Sequence, residues 1–354
     1  MKKEFILYIL LITSQLALAQ GCIAIKNMSC GISTIDNAPK TWQLSANYRY
    51  FRSYRHFSGT EENPDRVANN TEVVNNDNSL TLGGTYTINN RWTVTASVPI
   101  IYIDRSSLYE HDRVNRHHTG SQGLGDIRLM GYYSAKMFNG KSSMMHGMGL
   151  KLPTGNYDYK DDFYTVNGIE TRPVDQSIQP GDGGLGLVTE INFTHHATER
   201  LSIYTNALYM FNARNTNGTR TFRETLSPIL ANEAIMSVPD QYMVRAGAQL
   251  SIKDKWGLAI GGRLEGIPVR DALGKSDGFR RPGYILSLEP SVTYHHGSHS
   301  FNLSLPVALV RNRLQSVTDR ETELATGNPR HGDAAFADYL LSISYAYKIS
   351  NKVF

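Results

Sequence analysis

The chain has 354 residues, of which 40% are hydrophobic and 19% are charged, and its formal net charge at pH 7 is +4. So small a charge on a chain of this length argues against nucleic-acid binding, which needs a strongly basic face. Beyond the first 20 residues, no stretch approaches the roughly 20 apolar residues of a membrane-spanning helix. If the chain crosses a membrane, we therefore expect it to do so with strands.

The N-terminus has the three parts of a secretory signal peptide. Lys2 and Lys3 give a charged start, residues 5–12 form an apolar run, and residues 17–19 read Ala-Leu-Ala, a small-x-small cleavage pattern. The sequence therefore predicts that residues 1–19 are cleaved off and that the rest of the chain is exported.

The only two cysteines, Cys22 and Cys30, follow directly in a predicted periplasmic segment, residues 20–40. In an exported chain, a disulfide between two such cysteines is the ordinary expectation. Lipid attachment at Cys22 is the alternative, although Gln20 fits poorly with the small residues that usually precede a lipidated cysteine.

Apolar residues then alternate with polar ones along most of the chain. In "GLGDIRLMGYY", residues 123–133, Ile127 and Leu129 share one parity, whereas Asp126 and Arg128 share the other. Each such run has the roughly 9–11 residues of a tilted transmembrane strand. The twelve runs are residues 42–50, 80–88, 92–102, 123–133, 144–152, 185–193, 201–211, 242–252, 256–264, 284–294, 301–309 and 341–349.

The connections between these runs alternate in length. The short turns are residues 89–90, 139–140, 195–199, 253–255 and 295–299. The long polar connections are residues 54–78, 104–121, 153–182, 213–239, 268–282 and 312–335. Short periplasmic turns, long extracellular loops and an even strand number are typical of outer-membrane barrels. The predicted fold is therefore all-β, an antiparallel transmembrane β-barrel of about 12 strands over residues 41–354.

The two faces of the strands divide lipid from lumen. Charges opposite the apolar parity cannot fill a dry core, because an unpaired buried charge is very costly. The predicted lumen-lining residues are Arg49, Asp126, Arg128, Lys151, Glu190, Arg245, Arg263, Glu265 and Glu289. These charges could set up a transverse electric field that orients polar solutes, or they could pair with one another and fill a narrow barrel. A barrel of twelve strands is intermediate in width, so the strand number does not decide between the two.

All three tryptophans fall at strand ends that the pattern places in the periplasm. Trp42 opens the first run, and Trp92 and Trp256 each follow a short turn. Amphipathic rings at one height are typical of an interfacial aromatic girdle. We therefore predict that these three side chains form the periplasmic girdle.

Three glycine-rich segments together resemble the outer-membrane protein family of the phenol meta-degradation pathway. They are the Gly-x-Gly-Asp strand start at residues 123–126, the Pro-Thr-Gly strand end at 153–155 and the strand entry at 180–184. The resemblance implies an outer-membrane barrel that takes up small organic compounds, and it supplies no catalytic residues. The residues themselves have architectural explanations, since glycine permits a bend or bulge and Pro153 cannot donate to a ladder.

Other chemistry has weaker support. The histidine runs lack a Cys, Asp or Glu at ligand spacing, so no metal site is predicted. Ser298 near His295 is a serine–histidine pair without an orienting third group, so no catalytic site and no cofactor are predicted. Calcium binding by residues 156–162 is less expected than a solvated acidic loop. The histidine runs are residues 117–118, 195–196 and 295–299.

The sequence thus predicts a porin-like channel in the outer membrane of a Gram-negative bacterium, with lipid around it and a small-molecule solute inside. The alternative is a non-transport outer-membrane protein that presents long loops such as residues 54–78 and 153–182. An outer-membrane hydrolase and a soluble exported β-protein are the remaining alternatives.

Overall fold

The computed structural model describes residues 39–137, 140–222, 226–253 and 255–349. The predicted signal peptide and the predicted Cys22–Cys30 disulfide lie outside the described residues. No helix in the described ranges is long and apolar enough to cross a membrane.

The strands form a closed antiparallel barrel. Its first and last strands pair along their length, from Trp42 opposite Ile349 to Tyr50 opposite Leu341. In chain order the strands are β1 (Thr41–Ser58), β2 (Glu61–Glu62), β3 (Val74–Thr87), β4 (Trp92–Ser107), β5 (His117–Leu124), β6 (Arg128–Met137), β7 (Ser142–Lys151), β8 (Lys160–Thr165), β9 (Gly168–Pro173), β10 (Gly186–His196), β11 (Leu201–Asn212), β12 (Thr216–Arg220), β13 (Ile235–Ser237), β14 (Gln241–Ile252), β15 (Trp256–Ile267), β16 (Gly283–His296), β17 (His299–Ser304), β18 (Val307–Arg313), β19 (Ala334–Ala337) and β20 (Leu341–Ile349).

Within the described ranges these segments form twelve barrel strands, as predicted. Three of them are built from two consecutive segments that pair with the same neighbour: β5 with β6, β17 with β18, and β19 with β20. Short connections lie at one end of the barrel and long connections at the other. We call these the turn end, which is periplasmic, and the loop end, which is extracellular.

The alternation along each strand separates the two faces. On β6, Met130 and Tyr132 are buried inside the barrel, whereas Leu129, next to Met130, is exposed on the outer wall. Successive side chains of a strand point to opposite faces, so one parity must meet lipid and the other the interior. The charged parity of "GLGDIRLMGYY" therefore faces inward, which is the reverse of an ordinary soluble sheet.

Several strands are longer than predicted at the loop end. The predicted loops at residues 54–78 and 104–121 contain the end of β1, the start of β3, the end of β4 and most of β5. Pairing continues there, for example between Asn75 and Arg105. Outside the bilayer a strand needs no apolar face, so the alternation that identified the strands fades before the hydrogen bonding does.

Helices occur in the long connections. They are α1 (Asp65–Ala68), α2 (Val317–Thr326) and 3-10 turns at Gln176–Ile178 and Pro228–Ala234. The helix α2 starts with a capping box, in which Ser316 and Asp319 each accept a hydrogen bond from the other's backbone N–H, at 3.0 and 2.9 Å. It ends at Gly327 in the left-handed conformation (φ 69°), where glycine costs no steric strain.

The long connections pack against the loop end of the barrel. Val174 and Ile178, in the connection between β7 and β10, form one apolar cluster with Ile101 and Ile103, which point inward from β4. A second cluster joins inward residues of the strands to β19; it contains Phe57, Ile285, Ala308, Ala334 and Phe336. The loop end is therefore covered by its own connections.

Candidate functional site: the barrel interior

A cavity of about 420 Å³ lies inside the turn-end half of the barrel. Small polar side chains such as Ser45, Asn47 and Thr81 line one part of its wall, whereas Met130 and Met145 line another. Asn47 Nδ2 donates to Ser344 Oγ at 2.6 Å, so the polar part is joined across strands. The cavity therefore has both a polar wall and an apolar wall.

Two buried ion pairs lie at the polar wall and just beyond it toward the loop end. The guanidinium of Arg245 donates to both oxygens of Glu289, at 2.8 and 2.9 Å, and Ser304 Oγ donates to the same carboxylate at 2.8 Å. Arg263 and Glu265, two residues apart on β15, pair at 3.1 and 2.8 Å with both side chains 0% exposed. Four of the predicted lumen residues thus pair with one another.

Glu190 lies at the boundary between the two walls. Its carboxylate accepts from Tyr132 Oη at 3.0 Å, from Asn192 Nδ2 at 2.8 Å and from Asn206 Nδ2 at 3.1 Å. Arg128 lines the cavity nearby, and Arg49 is buried inside the barrel on β1. The carboxylate is held in place by three donors, as a fixed polar group at the cavity wall.

The last two predicted lumen residues, Asp126 and Lys151, face a junction of loops rather than the cavity. The Asp126 carboxylate accepts the backbone N–H of Gly155 at 2.9 Å and that of Asp182 at 3.1 Å. Lys151 Nζ donates to Asp182 and lies 3.9 Å from Asp126. Asp126 thus holds loop backbone and Lys151 pairs with carboxylates, so neither charge faces the open cavity.

This junction brings together the three glycine-rich segments. A Cβ at Gly155 would lie 2.8 Å from Gly181 Cα and 3.0 Å from the carbonyl carbon of Gly125. Thr154 Oγ1 donates to Gly125 O at 3.0 Å and accepts from Ile127 N at 2.9 Å. Such contacts require glycine, because any side chain would overlap a neighbouring backbone. We call this contact of residues 123–126, 153–155 and 180–184 the glycine junction.

The apolar wall continues above the cavity as a cluster that the sequence analysis missed. The sequence analysis considered only the charged residues on the inward face of each strand. The same face also carries methionines, which strand parity marks as inward. The cluster runs from the cavity wall toward the loop end, and we call it the methionine cluster. It contains Met130, Tyr132, Val188, Leu208, Met210 and Met243, with Met145 packed against it.

Glycines on β7 make room for this cluster. A Cβ at Gly147 would lie 2.5 Å from the Tyr132 ring, and one at Gly149 would lie 2.6 Å from Met130 Sδ. The side chains of β6 therefore lie flat against the bare backbone of the next strand, which makes the interior wider at that point.

The loop cover is held by a buried charge cluster. Asp175, in the connection between β7 and β10, pairs with Arg281 at 2.8 Å and lies 3.5 Å from Arg105 Nη2. Arg105 also pairs with Glu110. Burial alone would raise the pKa of Asp175, but Arg105 and Arg281 hold that pKa well below its usual value. This arrangement fastens three connections together over the mouth.

The three tryptophans lie on the outer wall at the turn end. Trp42, Trp92 and Trp256 are 47%, 50% and 48% exposed. Each ring packs on a tyrosine of a neighbouring strand, with ring centroids 4.8, 5.1 and 4.6 Å apart. Tyr102 and Tyr339 are exposed nearer the loop end, and the sequence analysis did not assign them to a girdle.

The histidine runs lie apart from one another. At the turn end, His195 and His196 each bond a serine hydroxyl, at 2.8 and 2.9 Å, and His299 bonds Tyr345 Oη at 2.9 Å. At the loop end, His118 Nδ1 bonds Asp104 at 2.8 Å. These local bonds account for four of the histidines.

Comparison with known proteins relates the chain to other barrels at the level of fold. No protein-family profile and no curated protein matches. A crystal structure of an outer-membrane channel from Pseudomonas putida F1 matches with a TM-score of 0.60 at 11% identity, covering 90% of this chain and 100% of that one. The β domain of the Bordetella autotransporter BrkA (TM-score 0.45, 10% identity, 88% and 100% covered) and the P. putida toluene transporter TodX (0.42, 8%, 88% and 90%) are more distant. This chain has the fold of an outer-membrane β-barrel.

Proposed function

We propose that the chain is a passive channel that admits small organic molecules through the outer membrane of a Gram-negative bacterium. The observation that carries the proposal is the interior cavity of about 420 Å³ with a polar wall and an apolar wall. Small-molecule sites are mostly apolar, with a few placed polar groups that fix orientation. A barrel that only anchored loops would have no need of such a space.

The glycine junction supports the resemblance to the phenol meta-degradation outer-membrane family. Segments that are far apart in the sequence meet at one point, where each needs glycine. The similar structure from P. putida F1 is itself described as an outer-membrane channel. Both observations favour a transport role. Seven of the nine predicted lumen residues would form the charged and polar wall of the passage, Asp126 and Lys151 would hold the glycine junction, and the three tryptophans would form the periplasmic girdle.

The second candidate is a non-transport role, and the packed loop end favours it. Asp175 and Ile178 in the connection between β7 and β10 and Phe336 on β19 are buried at the loop end, so the described residues pack closely there. A structural or interaction protein would have a permanently closed mouth of this kind.

Single-channel conductance of the refolded full chain in a planar bilayer distinguishes the two candidates. Stepwise openings are expected for the channel, and removal of the Asp175 charge is expected to make them more frequent. A folded barrel without conductance at any voltage, in the wild type and in the Asp175→Asn variant alike, would support the structural role instead.

A further inference from the structure

We infer that solutes pass the narrowest part of the barrel through the methionine cluster, with Met210 and Met243 as the gate that selects solutes with an apolar body. This inference rests on the proposed channel function and specifies the solute class of the same interior.

The described residues fill the barrel directly above the cavity. On β10, Glu190 lines the cavity, and Val188, two residues nearer the loop end, is 0% exposed. On β14, Arg245 lines the cavity, and Met243 in the next inward position is also 0% exposed. A solute that leaves the cavity toward the loop end must therefore displace side chains.

The polar side resists displacement. Arg245 and Glu289 are joined by two hydrogen bonds, and Arg263 and Glu265 by two more. Separating either pair would leave a buried charge without its partner, which is strongly unfavourable. These ion pairs form a fixed wall.

The methionine side yields more easily. Methionine is unbranched, has three rotatable bonds and fills irregular space, and its displacement leaves no unsatisfied polar group. Behind the cluster, Gly147 and Gly149 carry no side chains, so Tyr132 and Met130 rest directly on backbone. The flexible side chains and the bare strand lie on the same side of the barrel.

The cavity also leads to this side. Met130, Tyr132 and Met145 belong both to the cavity wall and to the cluster, so the apolar surface runs without interruption from one to the other. A solute with an apolar body would keep that body on the methionines and its polar head beside Glu190 and Arg128. A polar body of similar size would lose its hydration on this path and gain no contact in return.

The test uses swelling of proteoliposomes that contain the full chain. Phenylalanine and glutamine are suitable probes, because they share a zwitterionic head group and differ in whether the body is apolar or polar. Wild-type vesicles are expected to swell at least as fast in phenylalanine as in glutamine, although phenylalanine is the larger molecule.

The Met210→Ile/Met243→Ile variant keeps the side-chain volume and removes flexibility. Since β-branched side chains are stiff at χ1, we expect the phenylalanine rate to fall about threefold. The matched control is Met148→Ile, because Met148 is 64% exposed on the outer wall. Heat-modifiable migration in gels shows whether each variant is folded.

Each outcome decides the inference. Equal phenylalanine rates in the folded double variant and in the Met148→Ile control would overturn it while leaving the channel intact. If the isoleucine variant does not fold, Met243→Ala serves instead: an increase of about threefold supports the gate, and an unchanged rate overturns it. Wild-type vesicles that swell with neither solute would contradict the channel function itself.

Discussion

The two ends of the barrel are built on different principles. At the turn end, each strand follows a simple alternation, the connections are short and the interior holds a cavity. At the loop end, the strands outlast the alternation, residues on both faces of β19 are buried and long connections close the mouth. The turn end is specified by neighbouring strands alone, whereas the loop end depends on contacts between residues far apart in the chain.

This difference shows which part of the molecule can change without loss of the barrel. Ladder hydrogen bonds hold the turn end continuously around the circumference, so no single outward-facing side chain is critical there. The loop end relies on a few buried charges and close backbone contacts, so single substitutions should affect it strongly.

The largest expected effect comes from Asp175. Asp175→Asn removes the carboxylate between Arg105 and Arg281, and leaving buried guanidinium groups without it should loosen the loop cover by about 3 kcal/mol. We expect faster protease cleavage of residues 156–180 and more frequent channel openings. The control is Asp158→Asn, since Asp158 pairs with Lys160 in an exposed position. Equal cleavage rates in the two variants would contradict the assigned role of Asp175.

A smaller effect is expected at the glycine junction. Gly155→Ala places a Cβ against Gly181, and the overlap should lower the free energy of unfolding by about 2 kcal/mol. Urea unfolding of the refolded barrel, followed by gel mobility, measures the change. Gly131→Ala is the control, because its Cβ would meet only Met148 O at an ordinary 3.8 Å. A Gly155 variant as stable as this control would show that the junction tolerates a side chain.

At the turn end, we expect a charge substitution at the cavity wall to change ion selectivity more than it changes the stability of the loop cover. Arg245→Gln leaves Glu289 without its guanidinium partner at the cavity. A unit charge about 4 Å from a hydrated ion contributes about 1 kcal/mol, so the cation permeability should rise and the anion permeability should fall, each by a factor of about 5 at most. The cation-to-anion permeability ratio should rise accordingly. The reversal potential in a KCl gradient measures this ratio, with Arg200→Gln at an exposed turn as the control. An unchanged ratio would show that ions avoid this wall.

The smallest expected effect is that of pH on the loop cover. Because the folded-state pKa of Asp175 lies well below its usual 3.8, its contribution to stability is present above that value and is lost as pH falls through the folded pKa. The difference in cleavage rate between wild type and Asp175→Asn should therefore be constant from pH 8 to pH 5. A difference that disappears near pH 6 would contradict the strong pairing with Arg105 and Arg281.

Sequence and structure agree where one local rule decides the outcome. The twelve strands were predictable because every residue of a lipid-facing wall obeys the same alternation, as in residues 123–133. Pairing within the interior was left open, because whether Arg245 meets Glu289 depends on barrel radius and strand stagger. The methionine cluster was missed because its members come from five strands, β6, β7, β10, β11 and β14. Strand parity marks each of them as inward, but it does not show that they meet.

The glycine junction also makes the connection between β7 and β10 a closed ring. Gly155 and Gly181 touch at its base, and Gly181 N donates to Asn156 O at 2.9 Å, so both ends of residues 156–180 are tied to one point of the wall. The strain of an insertion or deletion inside such a ring would be absorbed before it reached β7 or β10, and closing a longer ring costs little extra entropy. The turn between β8 and β9, where Val166 is 85% exposed and which lies away from Asp175, is therefore the natural place in the ring to graft a foreign peptide onto the cell surface.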